Sequence, residues 1–209
     1  MIKVLVADDH AIVRRGLIQI LAEQPDMTVV GEAQDAQELF DLTRKEPWDV
    51  VILDVSMPGR SGLEVLKELK TDFPLRPVLM LSVHPEDQYA VRTLKAGASG
   101  YLSKDSAPGE LVGAVRKAVQ GGKYVSASLA EKLAFNLAPD PDRARHETLS
   151  DREFQVLCRL ASGKTVSEIA DEMNLSVKTI STYRTRVLEK MQMKNNAELT
   201  HYAIQHGLV

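Results

Sequence analysis

Five side chains able to do charge chemistry stand at matching places in the first half of this 209-residue chain: Asp8, Asp9, Asp54, Ser82 and Lys104. Each follows a short apolar run. The plainest run is Val50-Val51-Ile52-Leu53, which ends in Asp54 and is stopped by Pro58-Gly59. Aliphatic, mostly β-branched residues in such a run predict a strand buried on both faces, the kind found in parallel sheets. A lone aspartate at a strand end is more often a turn former or helix cap. Its companions change that reading. Three carboxylates brought together repel one another, and a hard divalent cation with oxygen ligands, normally Mg²⁺, supplies the missing counter-charge. Lys104 and the Ser82 hydroxyl then offer donors to an anion such as a phosphoryl group.

Convergence of these five residues requires a particular sheet. Apolar runs at Lys3–Ala7, Thr28–Ala33, Val50–Asp54, Pro77–Ser82 and Ser99–Ser103 predict five strands. Between and after them, Arg14–Glu23, Ala36–Lys45, Gly62–Lys70, Gln88–Ala96 and Pro108–Gln120 have helical spacing. Strands alternating with helices across short loops predict a five-stranded, doubly wound parallel sheet. Such a sheet opens all its carboxyl ends onto one edge, where its chemistry sits.

These residues resemble the receiver domain of two-component response regulators over residues 1–122. The resemblance rests on Asp8-Asp9, the Asp54-x-x-Met57-Pro58-Gly59 turn with Gly62 beyond it, Ser82, and Tyr101 three residues before Lys104. It implies a flavodoxin-like fold in which Asp54 is the phosphoacceptor, attacking a phosphohistidine on a sensor histidine kinase. It also implies Mg²⁺ held by Asp9, Asp54 and the Ser56 backbone carbonyl, with Asp8 assisting, and Lys104 neutralising the phosphoryl oxygens. Ser82 and Tyr101 are the implied switch pair, Ser82 moving toward the acyl phosphate and Tyr101 into the space this vacates.

An enzymatic reading fares worse. Haloacid-dehalogenase-type phosphatases need a second aspartate two residues after the nucleophile, and Ser56 stands there. A Gly-x-x-x-x-Gly-Lys phosphate loop is also missing. The only covalent chemistry expected is phosphotransfer onto Asp54 and its reversal by water. His10 and His84 lie near the acidic residues but lack paired ligand spacing and read as solvated loop residues. Ser56 and His84 are expected to border the path of the attacking water.

Composition bounds the rest. Hydrophobic residues make up 44% and charged residues 26%, an ordinary globular balance. The single cysteine, Cys158, excludes an internal disulfide and sits in an apolar stretch that predicts a packed thiol. No signal peptide and no apolar run near the roughly 18 residues of a membrane span is evident, so the expected location is the cytoplasm, without membrane contact. The net charge of −3 is uneven. Residues 1–121 carry 14 Lys/Arg against 18 Asp/Glu, whereas Ser176–Lys194 holds five cations against Glu189 alone. That local excess calls for an anionic partner.

Residues 123–147 read as a linker with one helix over Ala127–Leu137, followed by an extended, Pro-containing stretch through His146. Beyond it, residues 148–209 form a smaller all-α domain. Ser150 and Glu153 make a capping box before a helix over Phe154–Ala161. Thr165–Met173 predicts a short helix, Asn174-Leu175-Ser176 a tight turn, and Val177–Met191 a longer basic helix: a helix-turn-helix. At about 100° per residue, Val177, Ile180, Val187 and Met191 face inward, while Lys178, Ser181, Thr182 and Thr185 face out with Thr179 and Arg186 at the flank. Arg184 lands near the apolar side and must snorkel outward to reach a phosphate.

This half resembles the LuxR-type helix-turn-helix through Leu149-Ser150-x-Arg152-Glu153, Gly163, Glu168-Ile169-Ala170, Leu175 to Tyr183 and Lys190-Met191. The resemblance implies that Ser181, Thr182 and Thr185 face base edges of double-stranded DNA, while Lys178, Thr179, Tyr183, Arg184 and Arg186 hold phosphates. A last helix, Ala197–His206, packs on the core or pairs two copies. Receiver plus LuxR-type module is the plan of NarL/FixJ-type response regulators. The reading is a transcription regulator, not an enzyme, that dimerises on phosphorylation, binds DNA and meets RNA polymerase. In it, the unphosphorylated receiver covers the recognition helix or prevents dimerisation. The rival is a phosphorylation-independent DNA-binding protein or adaptor with a vestigial receiver.

Overall fold

The computed structural model describes residues 1–83, 86–126, 129–130 and 145–209. His84 and nearly all of the expected Ala127–Leu137 helix lie outside the described residues. The chain falls into two compact units, Met1–Leu133 and Ala134–Val209.

The first unit runs β1 (Ile2–Ala7), α1 (Ala11–Ala22), β2 (Met27–Ala33), α2 (Ala36–Lys45), β3 (Val50–Asp54), α3 (Gly62–Asp72), β4 (Val78–Ser82), α4 (Glu86–Lys95), β5 (Gly100–Ser103) and α5 (Ala107–Val119). The five strands form one parallel sheet in the order β2-β1-β3-β4-β5. The expected doubly wound sheet is what the chain forms, with element ends displaced by a few residues at most. Every residue of β3 and β4 is buried, because helices cover both faces. On one face Val4, Val6, Ile52, Leu79 and Leu81 pack with Leu17 and Leu21 of α1 and Leu111 and Val115 of α5. Residues of opposite parity, including Leu5, Val51, Leu53 and Met80, are equally buried and face the other way.

The strand order reverses between β1 and β3, both of which start from the middle of the sheet. That reversal opens a crevice at their carboxyl ends, the switch point where α/β sheets bind ligands. Local capping fixes what borders it. Ser61 and Glu64 form a capping box at the start of α3. Gly62 is required there: a Cβ on it would lie 1.9 Å from the backbone oxygen of Asp54. After α5 the chain returns to the sheet edge, where Tyr124 bridges Gly100 of β5 in parallel and its amide donates to the Ser99 carbonyl at 2.8 Å. Tyr124, read from sequence as linker, therefore belongs to the sheet's edge.

The second unit contains a 3₁₀ turn (Arg145–Thr148), α6 (Asp151–Ala161), α7 (Val166–Met173), α8 (Val177–Met191) and α9 (Asn196–Gln205). Ser150 with Glu153 and Thr165 with Glu168 form capping boxes, and Ser176 caps α8. Asn174 ends α7 in the left-handed conformation at φ 53°, reversing the chain within two residues before α8 begins. Cys158 is packed, as its apolar setting predicts.

Two expectations need correction here. Arg145 and His146 are not extended linker: Arg145 donates to the Met191 carbonyl at 3.2 Å, and His146 Nδ1 lies 3.0 Å from the Tyr202 hydroxyl. Their polar side chains hide the anchoring from a search for apolar periodicity. Val177, in the first turn of α8, does not face inward but stays 50% exposed.

Candidate functional site

At the crevice the strand ends bring together the predicted residues. Asp8, directly after β1, and Asp54, the last residue of β3, are both buried. Lys104, just beyond β5, reaches across to both: its Nζ lies 2.7 Å from Asp8 Oδ2 and 2.8 Å from Asp54 Oδ2. The Lys104 amide donates to the Ser82 carbonyl at 2.7 Å, which fixes the base of the lysine against β4. Ser82 and Tyr101 are both buried, on adjacent strands β4 and β5. Ser56 follows β3 in the turn, and its amide donates to Asp54 Oδ1 at 3.2 Å.

Charge at this point is unbalanced. Burial pushes the Asp54 carboxyl above its ordinary value, and neighbouring Asp8 adds to the push, while Lys104 only partly offsets it. Burial alone would lower the Lys104 ammonium, but Asp54 and Asp8 outweigh it and hold its pKa high. The two directions agree once the site is counted as a group. One cation serves two buried carboxylates, with a third, Asp9, beside them, so the lysine stays charged and the carboxylates remain under-compensated. Asp8 Oδ2 is buried and, although charge-paired with Lys104, meets no donor in hydrogen-bonding geometry.

Oxygens of Asp8, Asp9 and Asp54, together with a ring nitrogen of His10, all lie within 4.8 Å of one another. Two ligands on opposite sides of a Mg²⁺ ion stand about 4.2 Å apart, twice the metal–oxygen distance of about 2.1 Å. The acidic pocket is therefore consistent with a hard divalent cation such as Mg²⁺ in charge and donor type.

The second cluster lies on α8. Lys178, Ser181, Thr182, Thr185 and Arg186 are exposed, and Thr179, Tyr183 and Arg184 are half-buried, while Ile180, Val187 and Met191 enter the core. The outward face combines small hydroxyls with cations, as its periodicity predicts. Thr182 and Thr185 donate their hydroxyl protons back to the carbonyls of Lys178 and Ser181 at 3.0 and 3.1 Å. Toward a partner they therefore present lone pairs and methyl groups. Arg184 is the departure: its Nε donates to Asn196 Oδ1 at 2.7 Å, so it ties α8 to α9 instead of simply snorkelling outward. Sequence reasoning also missed Lys190, whose Nζ meets the buried Glu153 at 2.6 Å.

Comparison with known proteins covers both halves. Residues 4–116 match the family described as response regulator receiver domain, and residues 147–203 match bacterial regulatory proteins of the luxR family. The chain is 38% identical to the response regulator UvrY of Escherichia coli K12 over 209 residues, covering all of this chain and 96% of that one. It is 38% identical to the response regulator GacA of Pseudomonas aeruginosa over 210 residues, covering all of this chain and 98% of that one. Among solved structures, RcsB of Salmonella enterica serovar Typhimurium, bound to promoter rprA in the presence of phosphomimetic BeF₃⁻, aligns with a TM-score of 0.67 at 31% identity. That alignment covers 96% of this chain and 97% of RcsB.

Proposed function

We propose, for a chain that belongs to the DNA-binding response regulators of two-component systems, that phosphorylation of Asp54 by a sensor histidine kinase controls DNA binding through α8. The observation that carries this reading is Lys104 spanning Asp8 and Asp54 in a buried, under-compensated acidic pocket.

In the proposed transfer an Asp54 carboxylate oxygen attacks the phosphorus of a phosphohistidine. The P–O bond forms as the P–N bond breaks, and its electron pair stays on the departing imidazole. Asp54 loses its charge in becoming the acyl phosphate, and the new charge lies farther out on the phosphoryl oxygens. Lys104 then follows that charge outward from the carboxylates. Asp8, Asp9, Asp54 and the Ser56 carbonyl are the proposed holders of Mg²⁺, which supplies positive charge against the phosphoryl oxygens when bound. The Ser82 hydroxyl turns to the phosphoryl group and Tyr101, its buried neighbour on β5, takes up the freed space. A local charge change thereby biases a packed element with two arrangements.

The output follows from the face of α8. Ser181, Thr182 and Thr185 are the proposed readers of base edges in the major groove, and Lys178, Thr179, Tyr183, Arg184 and Arg186 the proposed phosphate ligands. Two copies, paired on phosphorylation, would set their α8 helices in half-sites about one helical turn apart. The receiver extends through Tyr124 and the DNA-binding domain begins by Arg145, with the connector between them. Among the described residues no helix is long and apolar enough to cross a membrane. The cytoplasm, with RNA polymerase as a further partner, suits a regulator of this kind.

The test is intact mass after incubation with acetyl phosphate, with and without Mg²⁺, for the full chain and Asp54→Asn, followed by sizing and by DNA binding. A Mg²⁺-dependent gain of one phosphoryl group, lost in Asp54→Asn and accompanied by dimerisation, is the expected result. DNA binding that ignores both beryllofluoride and Asp54→Ala would overturn the switch.

A further inference from the structure

We infer that His10 supplies a nitrogen ligand to the cation site of Asp8, Asp9 and Asp54, so that this receiver binds transition-type divalent ions such as Co²⁺ or Zn²⁺ more tightly than Mg²⁺. The inference rests on the reading of this pocket as a cation site.

His10 precedes α1 as its N-cap, in extended conformation at φ −85° and ψ 105°, yet its side chain makes no capping hydrogen bond. An N-cap side chain ordinarily satisfies the free amides of the first turn. This one is directed elsewhere. The His10 amide donates to Asp8 Oδ1 at 2.8 Å, which folds residues 8–10 back on themselves. The imidazole consequently lies over the acidic residues, with Nδ1 2.6 Å from Asp9 Oδ1 and 3.4 Å from Asp8 Oδ1. One ring nitrogen belongs to the same cluster, within 4.8 Å, as the carboxylate oxygens of Asp8, Asp9 and Asp54.

That donor set is no longer purely hard. Mg²⁺ prefers oxygen ligands and keeps water in preference to imidazole. Imidazole suits Zn²⁺, Co²⁺ and Ni²⁺, and their affinities for mixed nitrogen–oxygen sites rise along the first transition row before falling at zinc. The buried Asp8 Oδ2 is held by Lys104 Nζ at 2.7 Å, so an arriving ion would share that carboxylate with the lysine. With its side chain 62% exposed, His10 stands at the solvent side of the cluster, where an arriving ion meets it first. The spacing His10-after-Asp9 reads as no ligand pair in sequence. The backbone fold at residues 8–10 makes it one.

The experiment is titration calorimetry of the full chain with Co²⁺ and separately with Mg²⁺, for wild type, His10→Ala and Asp54→Asn, together with the visible absorption of bound Co²⁺. The expected result is that His10→Ala loses about tenfold or more in Co²⁺ affinity and changes the Co²⁺ ligand-field bands. Mg²⁺ affinity stays within about threefold, water taking the place of imidazole. Displacement of Co²⁺ by excess Mg²⁺, and its loss in Asp54→Asn, ties the signal to this pocket and not to His146 or His206. Unchanged Co²⁺ affinity in His10→Ala overturns the inference. An equal loss for both ions overturns it too, since His10 would then only hold Asp9 in place. Failure of both ions to bind the wild-type chain would instead defeat the underlying cation-site reading.

Discussion

Lys190, near the end of α8, sets its Nζ 2.6 Å from Oε2 of Glu153, the third residue of α6, so one ion pair joins the last turn of α8 to the first turn of α6. Glu153 is buried and also accepts from the Ser150 amide at 2.8 Å. Burial raises its carboxyl pKa, but hydrogen bonds from Lys190 and Ser150 outweigh this and hold it below the ordinary value.

A depressed folded-state pKa gives stability that is present above the unfolded value, about 4.3, and lost as pH falls through the folded value. The DNA-binding unit should therefore weaken in mild acid. Glu153→Gln should flatten that acid limb and cost about 1.5–3 kcal/mol at neutral pH, the range for a hydrogen bond to a charged partner. Hydrogen exchange of α6 amides in the full chain at pH 7 and pH 4 measures both effects. An acid limb unaltered in Glu153→Gln would place the sensitivity elsewhere.

Gly62→Ala should disturb Asp54 more than its size suggests. The new methyl would collide with the carbonyl of Asp54, backbone that cannot swing aside. Either α3 or the end of β3 must shift, at about 1–3 kcal/mol. Urea unfolding together with acetyl phosphate labelling checks this, and normal labelling of a fully stable variant would contradict the close approach.

Arg184 and Arg186 should separate cleanly. Arg186 is exposed, so Arg186→Ala should leave stability unchanged and reduce the salt slope of DNA binding by about 0.9, one phosphate contact. Arg184 is tied to Asn196. Arg184→Ala and Asn196→Ala should each destabilise the second unit, with a coupling of about 0.5–1.5 kcal/mol in a double-mutant cycle. Additive effects would remove the proposed link.

Gln192, in the left-handed conformation at φ 56° after α8, should accept glycine gladly. Relief of the side-chain clash offsets the greater entropy of unfolded glycine, and Gln192→Gly should stabilise the unit by up to about 1 kcal/mol. Thermal unfolding decides; a lower midpoint would contradict it.

Much of this architecture is legible in the sequence because strand and helix periods differ and each strand is closed by a turn residue. Asp8, Asp54 and Lys104 could be placed at one edge because all strands of a parallel sheet end there. What stayed hidden depends on contacts between side chains far apart in the chain or on local backbone folding. Arg145 and His146 look like linker because polar anchoring has no period. Lys190 counts only toward the local cationic excess until Glu153 is seen beneath it. Val177 obeys the wheel and yet stays exposed, since a wheel records direction and not what packs there. His10, exposed as its loop position predicts, is brought beside Asp9 by one amide bond to Asp8.

The bridge between Tyr124 and Gly100 gives the departing chain a fixed moorings point on β5, the strand that carries Tyr101 one residue later. The fit is tight, since a Cβ on Gly100 would lie 2.7 Å from the Tyr124 carbonyl oxygen. A sideways shift of β5 would be handed directly to the residues that follow Tyr124, and the same tie covers the end of an otherwise open sheet edge where a foreign strand would add.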